Sequence, residues 1–330
     1  MHHAADRQFL HVTNGTCTTE LLRAAGIPGT RSIWADPLHE GPVPAGLADA
    51  ELMAVRAQFL AGSDPADVDP VNDLRQWRAV IERHGSYDEL ILWYEHDLFD
   101  QLNLIQVLSW IHERLPAPTP VSLVSIGAFP NRPAFKGLGE LTPGELGSLL
   151  DTRQPVSAAQ YSLAGRAWEA FRQPTPEPLD TLRRADTAAL PFLAPAIERF
   201  LQEYPWTTDG LSRTERRLLQ LAEPGEIDLM SALPRMHDDE RACYVTDCTL
   251  ASLVETLSGT SPPLLARGPG SRGGVLQGSV TLTDTGRAVL AGQRDRVETC
   301  GIDRWLGGVH LHTGSAPWRW DEGRGSIVRR

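Results

Sequence analysis

Glu89-Leu90-Ile91-Leu92-Trp93-Tyr94-Glu95-His96-Asp97-Leu98 is the stretch that decides the fold. Its apolar run is short enough to be a strand buried on both faces, the kind found in parallel sheets covered by helices. From Leu98 to Leu115 the period changes, with apolar side chains at Leu98, Leu102, Ile105, Leu108 and Ile111. That spacing predicts a helix, which Pro116, Pro118 and Pro120 end. Val121-Ser122-Leu123-Val124-Ser125-Ile126 then reads as the next strand.

The same alternation extends upstream. Phe9-Leu10-His11-Val12 is a short strand, ended by Thr13-Asn14-Gly15-Thr16, and Thr18 to Ala25 reads as a helix closed by Gly26 and Pro28. Ser32-Ile33-Trp34 reads as a second strand, broken at Asp36-Pro37 and at Gly41-Pro42-Val43-Pro44. Ala48 to Leu60 and Val71 to His84 have amphipathic helical patterns. Strands alternating with helices predict an α/β domain over residues 1–141 with a mostly parallel sheet, whose functional loops lie at the strands' C-terminal ends.

Beyond Leu141 the rhythm is helical. Thr142 to Leu150, Ala158 to Phe171 and material between Leu179 and Tyr204 form an expected connector over 142–205, stiffened at Pro174, Pro176 and Pro178. Pro205 to Gly210 reads as a hinge. The next unit, 206–296, reads as a winged-helix-like α+β domain. Ser212 and Glu215 form a capping box before the helix Arg213 to Ala222, followed by helices Ile227 to Leu233 and Cys243 to Leu257. Leu264-Leu265-Ala266 and Val280-Thr281-Leu282 would be wing strands, Gly268 to Gly278 the wing tip, and Thr283 to Arg287 the cap of a closing helix. Residues 297–330 form a Trp/Gly-rich tail. Trp305, Trp318 and Trp320 are three of the nine tryptophans, too much apolar surface for a loose end, so the tail is expected to dock across the units.

Composition narrows the functions. The 330 residues suffice for roughly two domains with full cores. Forty-two acidic against 31 basic side chains give a net charge of −11, which opposes a wholesale nucleic-acid coat or attachment to an anionic membrane. Lys136 is the only lysine. None of the four cysteines, Cys17, Cys243, Cys248 and Cys300, forms a CxxC pair, which argues against a zinc ribbon or a disulfide framework. With no visible signal peptide and no run near the ~20 apolar residues of a membrane span, a reducing cytoplasm is the simplest compartment.

Several strings carry a resemblance: His11-Val12-Thr13-Asn14-Gly15, Leu38-His39-Glu40-Gly41-Pro42, Trp93-Tyr94-Glu95-His96-Asp97-Leu98-Phe99-Asp100-Gln101-Leu102, and Gly301 through His310. In their order and length they resemble the uncharacterised bacterial family known as domain of unknown function 1835. The resemblance spans nearly the whole chain and implies architecture and candidate positions, with no activity attached. One departure stands at Thr16, where members usually carry an aspartate after the Asn-Gly.

Candidate chemistry gathers after three strands. His11 and Asn14 belong to the first, Asp36, His39 and Glu40 follow the second, and Glu95, His96, Asp97, Asp100 and Gln101 follow the Leu90–Tyr94 strand. If the strands are parallel neighbours, these groups meet at one edge. Carboxylates beside histidines can hold a divalent cation or split their pKa values into an acid and a base. Glu95 or Asp97 would then be a base or ligand, and His39 or His96 the proton partner. Asn14-Gly15-Thr16 before a helix would cradle an anion. Bland readings stand beside these: Asp97 as a helix cap, Asp36 in a turn, His11 as a satisfied core histidine.

The expected function is hydrolysis or group transfer on a small polar or phosphorylated substrate, with a divalent cation possible. The alternative is a ligand-sensing regulator or protein-interaction module built on the winged helix. DNA is the weaker partner, because Tyr244 to Leu257 carries no lysine or arginine and Arg267 and Arg272 alone make a thin footprint. Arg304 in the tail would be drawn to the acidic strand edge.

Overall fold

The computed structural model describes residues 7–63, 69–116, 119–133, 135–238, 240–242, 244–268, 270, 276–315 and 317–330. Cys243, Arg272 and most of the expected wing tip lie outside the described residues. The chain opens with β1 (Phe9–Thr13), α1 (Thr16–Ala24), β2 (Thr30–Ile33), β3 (Gly41–Pro42), α2 (Asp49–Ser63) and α3 (Pro70–Glu82). It continues with β4 (Glu89–Glu95), α4 (Leu98–Arg114), β5 (Val121–Ile126), α5 (Pro143–Ser148) and β6 (Gln154–Pro155).

These strands form one sheet in the order β2-β1-β4-β5-β6, parallel except for β6 at the edge. The fold is therefore mixed α/β with a parallel-rich sheet. All seven residues of β4 are buried, as its unbroken apolar run requires. Alternation along the strand divides them between two cores. Leu90, Leu92 and Tyr94 join the large core with α4, while Ile91 and Trp93 pack with Leu22, Leu138 and Leu146 on the opposite face. Helices thus cover both faces, and α4 is buried along most of its length.

Two local expectations shift. Helix α1 starts at Thr16, two residues early, and Trp34 falls just past β2 although its amide still reaches the Thr13 carbonyl at 2.9 Å.

Three helices follow: α6 (Ala158–Phe171), α7 (Glu177–Arg183) and α8 (Leu193–Leu201). After them come α9 (Arg213–Ala222), β7 (Ile227–Asp228), α10 (Leu229–Met236), α11 (Asp247–Gly259), β8 (Leu265–Arg267), β9 (Ser279–Leu282) and α12 (Asp284–Leu290). The Ser212–Glu215 capping box forms in both directions at the start of α9. The second expected helix begins later, at Leu229, because Ile227 and Asp228 are a strand and Asp228 caps the helix. The third begins at Asp247, capped by Thr246. Strands β7, β9 and β8 pair antiparallel in that order.

Pro205 to Gly210 is not a free hinge. Trp206 is buried and bridges Trp320, and the same continuous core runs from the sheet through α6 and α8 into α9 and α11.

The C-terminal segment explains that continuity. After α13 (Arg296–Cys300), β10 (Asp303–Gly307) pairs with β11 (Val309–His312) and, in parallel, with β3. A hairpin of β12 (Trp318–Asp321) and β13 (Ser326–Arg329) ends the chain. Gly308 lies so close to the end of α6 that a Cβ there would stand 1.8 Å from the Arg172 carbonyl oxygen. The tail therefore touches the α/β unit through β3, the connector through Phe171 and Arg172, and the later unit through Trp206. Among the described residues, no helix is long and apolar enough to cross a membrane.

Candidate functional site

Strands β1 and β4 end side by side, with Thr13 opposite Trp93. Past them the chain turns into α4, and Asp97 caps that helix by accepting the Asp100 amide at 2.7 Å. Asp100 points back from the first turn. Its carboxylate accepts the Glu95 amide at 2.5 Å and the Asn14 side-chain amide at 3.0 and 3.1 Å. Asn14 also donates to Glu95 at 3.3 Å, and its oxygen is held by Thr18 at 2.8 Å. The second Glu95 oxygen accepts the Leu138 amide. Gly137 is needed beside it, since a Cβ there would stand 2.5 Å from the carboxylate. Gln101 fixes the Glu95 carbonyl at 2.6 Å.

The result is a compact acidic nest. One oxygen from each of Glu95, Asp97 and Asp100 lies within 4.8 Å of the others. Among the described residues, none of the three has an arginine, lysine or histidine ion-pair partner. Burial pushes the Glu95 carboxyl well above its ordinary range, and the neighbouring Asp97 adds to the rise. Burial also raises Asp100, reinforced by Asp97 and Glu95. Asp97 is lifted by burial to about 7, against the lowering pull of the Asp100 and Phe99 amides. The three titrate as a group, so protons persist in the nest near neutral pH.

Other expected site residues go elsewhere. His11 is a satisfied core histidine: it accepts from Trp93 Nε1 at 3.1 Å and meets the Pro28 carbonyl at 3.1 Å. Burial lowers its pKa. Asp36 is fully engaged with Arg56, the closest contact being 2.6 Å, so it serves packing rather than the nest. His96 sits between Phe135 and Phe192, with its pKa lowered by burial, and makes no hydrogen bond or ion pair to the carboxylates. The expected proton partner is therefore not in contact.

Gly15 and the exposed Thr16 begin α1, but the neighbouring Asn14 amide already faces carboxylates. An anion at this loop would meet those acids at close range.

His39 and Glu40 form a separate place with Arg304. His39 packs edge-on to Tyr244, with ring centroids 4.7 Å apart, and its Nε2 lies 3.4 Å from Glu40. Arg304 turns away from the acidic nest and pairs with Glu203 at 3.0 Å. All five border a cleft of about 540 Å³ between the α/β unit, α11 and the tail. Burial opposes ionisation of Glu40, yet the His39 ring and the Arg304 charge outweigh it and hold the carboxyl below its usual range.

Gly137, Leu138, Glu203 and Tyr244 carry no signal of these roles in the sequence. A backbone amide and a partner brought by distant pairing leave no local spacing to recognise.

What fold and geometry define is an α/β protein with a carboxylate nest at the C-terminal edge of its parallel strands. No protein-family model matches the chain, and no curated protein matches it.

Proposed function

We propose that the α/β unit is an enzyme that hydrolyses or transfers a group on a small polar or phosphorylated substrate, using Glu95, Asp97 and Asp100. One observation carries the reading: three crowded carboxyls share a sheet edge with, among the described residues, no cationic side chain paired to them. Such a cluster costs stability when ionised, and perturbed carboxyls in this location are the signature of acid/base work. Asp97, the partly accessible member, holds its proton near neutral pH and suits general acid/base transfer. Glu95 and Asp100 are fixed by amides and define the field around it.

An all-oxygen donor set fits a hard divalent ion such as magnesium, manganese or calcium, which would take the place of the shared protons. Glu95, Asp97 and Asp100 would hold it. A phosphorylated substrate requires that ion, because phosphate would otherwise meet the ionised acids; a neutral polar substrate does not. The test is a screen of phosphoesters, glycosides and amides, with and without divalent ions, using Glu95→Gln and Asp97→Asn. Turnover lost in both variants supports the assignment, whereas retained turnover in both removes it.

A second reading concerns the later unit. The order α9, β7, α10, α11, β8, β9 supports a winged-helix-like module. Helix α11 would be its recognition helix, but Thr249, Ser252, Leu253 and Thr256 line the cleft and no residue of the helix is basic. That favours a ligand- or protein-facing role over DNA. Membership of the family known as domain of unknown function 1835, and a cytoplasmic setting, belong to the same proposal.

A further inference from the structure

The cleft beside His39 carries an inference independent of the acidic nest. His39 is only 5% exposed, yet Nδ1 has no hydrogen-bond partner and Nε2 has only the 3.4 Å approach to Glu40. A buried imidazole left in that state is costly, which marks the loop beside the cleft as locally destabilised. The ring borders a space of about 540 Å³, within the range of small-molecule sites.

The walls indicate what enters. Helix α11 offers Ser252 and Thr256, both exposed and free of protein hydrogen bonds among the described residues, on one face with Thr249. Phe59, Tyr244 and Trp305 add aromatic surface, and Trp305 is braced from behind by His310 at 4.4 Å in a parallel stack. The charges exclude a dianion. Four carboxylates line the cleft, Glu40, Glu203, Glu215 and Asp303, against two guanidiniums, Arg296 and Arg304. Each guanidinium is already paired, Arg296 with Glu215 at 3.2 Å and Arg304 with Glu203 at 3.0 Å. A phosphate would have to break those pairs and approach the remaining acids. A neutral ring bearing several hydroxyls would instead find aromatic faces, hydroxyl partners and a carboxylate acceptor together.

The geometry points to a binding site for an uncharged polyhydroxylated ligand, a free sugar or the ribose of a nucleoside, in the cleft between the His39–Glu40 loop, helix α11 and the C-terminal segment. Its walls come from three distant parts of the chain, so occupation would tie them together and raise thermal stability.

The test uses the full chain with glucose, ribose, adenosine and uridine, each beside its monophosphate, read by thermal shift and calorimetry. Saturable binding of a neutral member is expected, with its phosphate at least about tenfold weaker, or about 1.4 kcal/mol. Binding by the sugars points to a sugar site, and binding by the nucleosides alone to a nucleoside site. Ser252→Trp, at an exposed position, should abolish binding without moving the melting temperature of the free protein; Glu95→Gln should leave binding intact. The inference is overturned if no neutral member binds at millimolar concentration, if a phosphate binds as tightly, or if Ser252→Trp binds normally.

Discussion

Two buried groups of charge, one at the sheet edge and one beneath the tail, are equally deep and behave in opposite ways. Glu95 and Glu203 are 6% and 2% exposed. Glu203 is clasped by Arg199 at 2.6 Å and Arg304 at 3.0 Å, and Arg199 also reaches Glu240 at 2.7 Å. Burial alone would raise the Glu203 carboxyl, but the two guanidiniums outweigh it and hold it far below the ordinary range. Glu95 has amides and fellow acids around it, and its carboxyl rises. Depth does not decide the sign; pairing does. A paired cluster holds segments together, whereas an unpaired one costs stability when it ionises.

The largest effect should come from breaking the paired side. Glu203→Gln leaves Arg304 without its carboxylate and Arg199 with one partner fewer, and should cost about 3–5 kcal/mol in urea unfolding. The seat of the tail comes next, because β10 carries Arg304 to its partner. Gly308→Ala drives a methyl into the Arg172 carbonyl and should lower stability by about 2–3 kcal/mol, with earlier proteolytic loss of the tail. A melting temperature unchanged by removal of residues from Gly301 onward would contradict the docked tail.

The unpaired side should respond to pH in a defined direction. A carboxyl with a folded pKa above its unfolded value supports the fold fully below about pH 4 and withdraws that support as pH rises. For Asp97 the loss runs to about pH 7. Between pH 5 and 8 wild type should therefore lose more stability than Asp97→Asn, by about 2–3 kcal/mol. Asparagine still caps α4, and losing the Asp97 charge also eases the rise at Glu95 and Asp100, which acts in the same direction. Glu203 does not disturb this window, since its depressed pKa makes its contribution disappear only in acid. A divalent ion bound at the nest should offset the loss, and calorimetry in two buffers should then show proton release.

Much of the first unit was legible because its causes are local. The apolar run of β4, the proline stop after α4 and the Asp97 cap lie within a few residues of what they determine. The acidic nest was visible for the same reason: Glu95, Asp97 and Asp100 are two and three residues apart across a strand-to-helix turn. What was not legible depends on distant pairing. Gly41–Pro42 reads as a break, yet it is the strand on which Leu306 and Gly307 dock. That pairing carries Arg304 to Glu203, and Tyr244 stands beside His39 with no sequence signal linking them. The single site expected from adjacent loops therefore divides into a nest and a cleft.

The most direct measurement is a carboxyl-detected NMR titration of Glu95, Asp97 and Asp100 in the ion-free protein, with Glu203 as the internal reference. The expected result is Asp97 titrating near pH 7, with Glu95 and Asp100 also above the ordinary carboxylate range and Glu203 below it. Three ordinary transitions near pH 4 would contradict the claim that the nest holds uncompensated, proton-poised carboxyls.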